Sequence, residues 1–528
     1  MHSASSRLPG LTALATLLLL VGAPLTALLS IAPELEPSRL WRDAYLRRVL
    51  DFTVWQATLS TLLSVGLAIP VTRALARRQD FPGRRWLLRL FGLPLVIPTI
   101  VAVFGVVAVY GQNGIVNRLL GWSGLPTGQF LYGLPGILIA HVFFNLPLAI
   151  RLLLPLWWTV PGETWRLASQ LGMPSITLFR LIEWPLLRQG LPGVTGLIFM
   201  LCFTSFAVVL ALGGGPAATT VEVAIYQSLR FDFDPGQAVL LALLQLICCA
   251  LLVGLLHGLG GEMAISATPG RRYPRPDLAG WSGRILDALW IGLAALSVLL
   301  PVAAVLAAGL RGPLWTVLAD TALWTAAGRS LAVALCASAL ALCGGWALLV
   351  GFRDPAGRRW RRVLELSGSL VLVVPPLVLG TGYFVLLNPI ADVFALGLVL
   401  VVVANGLMGL PYVIRILGPA LARVAEQQGR LCESLGIHGW RRLRLIEWPL
   451  VRRQAGLAVA LCAALSTGDL GVIALFGTGD TTTLPLLLYQ RLASYRMGEA
   501  AVTALLLLGL SLGLFVALER LVGGSRDA

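Results

Sequence analysis

The residue types that ordinarily carry chemistry are sparse in this 528-residue sequence, and their spacing excludes most reactions. His2, His141, His257 and His438 are scattered, and none of the seven cysteines forms a C-x-x-C pair, so neither a metal-ligand set nor a disulfide framework can be read. Cys202, Cys248, Cys249, Cys336, Cys343, Cys432 and Cys462 lie mostly in apolar runs and are expected as small apolar core residues. All 40 basic residues are arginine. Without lysine the chain can form neither a G-x-x-x-x-G-K-[ST] phosphate loop nor a Schiff base. No catalytic residue, metal or cofactor is assigned to the chain itself, and any ATP the system consumes must be bound by another subunit.

What does stand out is a matched pair of stretches. Arg180-Leu181-Ile182-Glu183-Trp184-Pro185-Leu186 recurs unchanged as Arg444 to Leu450, 264 positions later. Arg166-Leu167 and Leu171-Gly172 recur at the same offset as Arg430-Leu431 and Leu435-Gly436. Leucines spaced i, i+4 before a glycine read as a short helix with an apolar face and a left-handed stop. Their chemistry is recognition: a compact, partly apolar knob, present twice.

The elements that must hold these knobs follow from composition. Apolar residues make up 57% of the chain and charged ones only 12%, about half the charge of an ordinary soluble domain. At about 20 apolar residues per crossing, roughly a dozen membrane spans fit. Candidate spans fall near 11–31, 56–76, 91–110, 133–156, 191–212 and 237–259, then near 284–310, 328–351, 365–388, 393–418, 455–476 and 499–522. The first is read as a retained helix rather than a signal peptide, since no small-residue cleavage site follows it. With both termini in the cytoplasm, 30 of the 40 arginines fall on cytoplasmic segments, the positive-inside pattern. The excess of +15 is therefore a topological signal on short loops, and nucleic-acid binding is not expected.

The fold expected is all-α and integral to the membrane: twelve transmembrane helices as two tandem six-helix domains, residues 1–260 and 284–528. The proline-containing cytoplasmic linker 261–283 joins them. Gly83-Arg84-Arg85-Trp86 and Gly357-Arg358-Arg359-Trp360 add to the duplication, as do Tyr226-Gln227 and Tyr489-Gln490. An even number of spans per repeat makes the copies parallel, with a pathway between them.

The matched stretches occupy cytoplasmic loops 157–190 and 419–454. A single such loop reads best as a hairpin lying on lipid, anchored by tryptophans such as Trp165, Trp184, Trp440 and Trp448. Two matching copies instead suit docking sites for a dimeric partner. The spacing Gly172, nine residues, Ile182-x-x-Pro185, repeated as Gly436, nine residues, Ile446-x-x-Pro449, resembles the EAA loop of permease subunits of binding-protein-dependent ABC importers. That resemblance implies a type I importer fold, two copies of an ATP-binding subunit docked on the loops, a periplasmic solute-binding protein, and location in the bacterial inner membrane. The family's leading Glu-Ala-Ala aligns with Arg166-Leu167-Ala168 and Arg430-Leu431-Cys432, so the ionic contact of that acid is not carried over.

Further likeness, to the thiamine and thiamine pyrophosphate transport permeases, runs over nearly the whole chain. It is carried by Val103-Phe104-Gly105-Val106, Tyr110-Gly111, Ala140 to Pro147, Gly213-Gly214-Gly215-Pro216, Ala218-Thr219-Thr220 and Gly468-Asp469 through Gly477. Ferric-iron and polyamine permeases are the nearest alternatives within the class. An ion-coupled secondary carrier would share the repeat but leaves the knobs unexplained.

Four polar residues at membrane depth are pathway or gate candidates. Asp469 lies inside the apolar run 455–476, where an ionised carboxylate costs about 2.5–3.5 kcal/mol. It is expected to face the bundle interior or water, with Ser205 as its counterpart at the 264 offset. His141 is expected as an interhelical hydrogen bonder, and Tyr226 and Tyr489 as aromatic anchors at the membrane interface. Asp232 and Asp234 read as a turn and a helix cap.

Overall fold

Inside hydrocarbon the backbone has no water to bond, so each span must satisfy its own N–H and C=O groups, as a helix does. The computed structural model describes residues 8–31, 36, 38, 42–124, 128, 131–258, 280–351, 371 and 373–524, and the regular elements among them are helical. The first half contains α1 (Leu8–Ile31), α2 (Ala44–Arg77), α3 (Thr99–Tyr110), α4 (Leu134–Trp158), α5 (Trp184–Phe203) and α6 (Pro235–Gly258). The second contains α7 (Trp281–Arg311), α8 (Thr321–Gly351), α9 (Pro376–Leu387), α10 (Gly397–Ser434), α11 (Trp448–Thr467) and α12 (Met497–Gly523). Among the described residues eleven segments are long and apolar enough to cross a membrane, and α9 is a shorter apolar helix. The start of the span expected at 365–388, most of the linker 261–283 and the second Gly-Arg-Arg-Trp copy lie outside the described residues.

The halves interlock through their first helices. α1 packs on α8 and α9, while its counterpart α7 packs on α2 and α3. A Cβ on Gly105 of α3 would sit 2.7 Å from the Pro301 carbonyl oxygen in α7, and one on Gly382 of α9 would sit 2.7 Å from the Pro24 carbonyl oxygen in α1. Both members of this glycine-on-proline contact recur 277 residues apart, so the crossing is itself duplicated. Pro24 supplies no N–H, which frees the carbonyl one turn before it. The Tyr383 hydroxyl donates to that Leu20 oxygen at 2.7 Å and restores the missing bond.

Three expectations need correction. The runs 191–212 and 455–476 are not continuous helices: α5 ends at Phe203 and α11 at Thr467, and short helices Ala207–Leu212 and Gly471–Phe476 follow the breaks. Hydropathy cannot see such a break, because the residues beyond it are equally apolar. At the second break, the Gly471 N–H donates to Asp469 Oδ1 at 3.1 Å, so a side chain replaces a lost backbone partner. The fourth span of the second half also overruns its expected end at 418. α10 continues to Ser434 through Pro411 and Pro419, so its knob is the tip of a 38-residue helix rather than a separate one. Finally, Cys336 and Cys343 face outward rather than into the core.

The glycine contacts generate a test. Gly382→Val should destabilise the protein by about 1–3 kcal/mol through overpacking against Pro24. Gly22→Val meets nothing within 4 Å and should change little. Thermal unfolding in detergent would show this difference, and equal shifts would contradict the close packing of α1 on α9.

Candidate functional site

In the first half Pro161 turns the chain after α4, and the helix Gly162–Gln170 forms with Glu163 in its first turn, where an acid is favoured. It closes at Gly172, whose φ is +59°. The Gly172 N–H donates to the Ser169 carbonyl at 3.1 Å and the Met173 N–H to that of Ala168 at 3.1 Å. In the second half Gly436 has φ +62°. Its N–H donates to Glu433 at 3.2 Å, and the Ile437 N–H to Cys432 at 2.9 Å. Both are Schellman closures around a left-handed residue, a conformation glycine adopts without a Cβ penalty.

The two closures turn equivalent faces outward. Ala168 and Cys432 are buried, whereas Leu167, Leu171, Leu431 and Leu435 are each more than half exposed. Arg166 and Arg430 are exposed beside them. Ile182 is half-buried against the loop's own core of Trp165, Ala168 and Leu178, and Ile446 packs on the core of the second half. Trp165 is thus part of that core and not a lipid anchor. Pro185 and Pro449 stand in the first turn of α5 and α11, where the missing N–H costs nothing.

Just before each proline, the chain makes one π-helical turn, Phe179–Glu183 and Leu443–Glu447. Each ends on a buried glutamate that the reading of the repeat passed over. The signal was present, as an acid within an otherwise amphipathic, duplicated run. Glu183 Oε2 accepts from Arg73 Nε of α2 at 2.6 Å, and Trp157 Nε1 donates to its Oε1 at 3.2 Å. Arg73 also donates to the Ser175 carbonyl at 2.7 Å and to its hydroxyl at 3.0 Å. Arg77, one turn on, reaches the same hydroxyl at 3.3 Å and pairs with Asp287 of α7, which Arg78 also meets at 3.0 Å. One polar chain therefore joins the first knob, α2, and the first helix of the other half. Glu447 pairs with Arg442 at 2.8 Å within its own loop.

The polar candidates at membrane depth divide. His141 is buried with both ring nitrogens engaged, Nδ1 with the Ser60 hydroxyl at 2.8 Å and Nε2 with that of Ser205 at 2.9 Å. Its counterpart at the 264 offset, Asn405, donates to Ser466 at 3.0 Å. Asp469 lies in the break after α11, and its Oδ2 is buried with no hydrogen-bond partner among the described residues. Tyr226 and Tyr489 are not lipid-interface anchors. Tyr226 is buried on the short helix Val221–Arg230, which the chain folds back into the bundle, and the two tyrosines line one cavity of about 180 Å³. Asp234 caps α6, accepting from the Gln237 N–H at 3.0 Å. Among the described residues no group of three His, Cys, Asp or Glu could hold a metal.

Residues 345–522 match the family described as the inner membrane component of binding-protein-dependent transport systems. The thiamine transport system permease protein of Brucella abortus is 46% identical over 490 residues, covering 92% of this chain and 90% of its own. Those of Salmonella typhimurium and Escherichia coli are each 45% identical, covering 98% of this chain and 96% of their own. This chain belongs to the family of binding-protein-dependent transport permeases, membrane subunits of ABC importers rather than enzymes.

Proposed function

We propose that this chain is the permease of an ATP-driven importer for thiamine or thiamine pyrophosphate, which it moves across the inner membrane by alternating access. The names and coverage of its relatives favour these substrates over ferric iron or a polyamine. Residues 1–260 and 284–528 act as paired permease domains joined by 261–283, with both termini cytoplasmic, as the arginine distribution favours. Two copies of an ATP-binding subunit dock on loops 157–190 and 419–454, and a periplasmic solute-binding protein delivers substrate on the other side. The chain holds no cofactor of its own, and ATP stays on the partner.

The observation that carries this reading is the pair of Schellman-capped knobs, each with its leucines turned outward and its small residue turned in. Closure of the ATPase dimer moves both knobs together. On the first side, the Glu183–Arg73 ion pair passes that motion to α2, and Asp287 passes it on to α7. Substrate passes between the halves, past Tyr226, Tyr489 and Asp469, while His141 holds α2, α4 and the break after α5 together.

Two experiments test the coupling. A non-glycine residue held at left-handed φ costs about 1–2 kcal/mol, so leucine at both Gly172 and Gly436 should distort both knobs. ATP hydrolysis should persist while uptake into vesicles falls by about tenfold or more. Wild-type uptake in that double variant would contradict the docking reading. Arg73→Met and Glu183→Gln should each reduce uptake and leave basal ATPase intact. Their combination should be no worse than the more damaging single change, because both remove one ion pair. Additive losses would show that the two side chains act separately.

A further inference from the structure

The cavity between Tyr226 and Tyr489 has a composition that selects a chemical class. It lies beyond the end of α5, whose 20 residues span about 30 Å from the first knob. Tyr226, Gln227 and Phe231 come from one half and Tyr489 from the other, over a floor that includes Gly214 and Thr219. The Tyr226 ring meets Phe231 edge-on, with centroids 5.6 Å apart and planes at 86°. It also packs against Phe206, with centroids 5.4 Å apart and planes at 75°. Gln227 is held by Tyr45, whose hydroxyl donates to its Oε1 at 3.2 Å. Arg230 lies close enough to Tyr226 to interact with it electrostatically, and its guanidinium donates to the Gly477 carbonyl at 2.7 Å and stacks over Phe394 at 5.2 Å.

Phe206 connects this cavity to the broken helices. A Cβ on Gly471 would lie 3.9 Å from the Phe206 ring, and the Gly471 N–H is bonded to Asp469 Oδ1. Asp469 therefore stands one aromatic ring beyond the cavity; the Asn405 side chain and the N–H groups of Gly471 to Ile473 approach its carboxylate, and no cation is paired with it among the described residues. Aromatic faces attract delocalised, weakly hydrated cations, and a carboxylate in a low-dielectric site does so over a longer range. A small inorganic cation would instead favour a cage of carboxylates, and no Asp or Glu lines the cavity. The rings also give a flat substrate surfaces to lie against, and the tyrosine hydroxyls and Gln227 amide give its polar edge partners.

We propose that this cavity is a binding site of the permease itself for a flat, cationic heteroaromatic molecule, and that Asp469 is the counter-charge drawing it past Phe206. The proposal deepens the thiamine reading and rests on it, since thiamine joins a cationic thiazolium to a planar pyrimidine. The site is asymmetric by construction: the position equivalent to Asp469 is Ser205, already bonded to His141.

The test uses the assembled importer in lipid vesicles and, for binding, the permease–ATPase complex in nanodiscs without the binding protein. Thiamine should bind that complex about tenfold or more tightly than a neutral analogue with thiophene in place of thiazolium. Tyr226→Leu should remove the preference, and Tyr226→Phe should keep it. Asp469→Asn should slow thiamine uptake by about tenfold although the variant assembles with the ATPase in normal yield, which shows it to be folded. Wild-type thiamine uptake with equal binding of the two compounds, or with uptake unaffected by Asp469→Asn, would overturn the site and leave the substrate reading standing. No thiamine uptake by the wild type would overturn the substrate reading and the site with it.

Discussion

The first knob is fastened to the helical bundle by one buried ion pair, Glu183 with Arg73, and the polar contacts around it. Glu183 closes the π-helical turn that leads from the first knob into α5, and Arg73 sits on α2, so their 2.6 Å contact makes knob and bundle one mechanical body. Breaking one partner of a buried pair leaves the other uncompensated, and that penalty gives the link its stiffness. Arg73 keeps some solvent access, which reduces the penalty without removing it. Extension through Ser175, Arg77 and Asp287 carries the same link to α7. α7 is the helix that packs into the first half, so in the proposed mechanism a push on the first knob would reach both halves.

Gly172 and Gly436 terminate their helices by the same pair of hydrogen bonds, and Ala168 and Cys432 occupy the same inward slot. The supports then diverge. One knob is a separate helix begun by Pro161, and the other is the end of the 38-residue α10. A continuous helix transmits displacement along its axis, whereas a separate one depends on side-chain contacts such as Glu183. The two knobs are therefore joined to the bundle by different linkages, and the proposed docking would act on each in its own way.

Much of this was legible from the residues in order. The spans follow from hydropathy, and the caps from leucine pairs followed by glycine. What could not be read depends on partners distant in the chain. Arg73 meets Glu183 across 110 positions, and Gly382 meets Pro24 across far more, with nothing local to mark either contact. The breaks after α5 and α11 were hidden for another reason. Thr204 and Ser205, or Gly468 and Asp469, interrupt a helix without interrupting its apolar character, so a window average passes over them. Tyr226 was misplaced because an aromatic residue near a span end ordinarily marks the membrane interface, while here the chain folds back and buries it.

The central claim is that the two knobs are seats for an ATPase pair rather than hairpins resting on lipid, and their exposed leucines can report on this directly. A photoreactive side chain placed at Leu171, and separately at Leu435, in the assembled importer samples whatever covers each knob. Cross-linking of one ATP-binding subunit at each position, and of two when both are labelled, is the result this account predicts. Labelling confined to lipid at either position would contradict it.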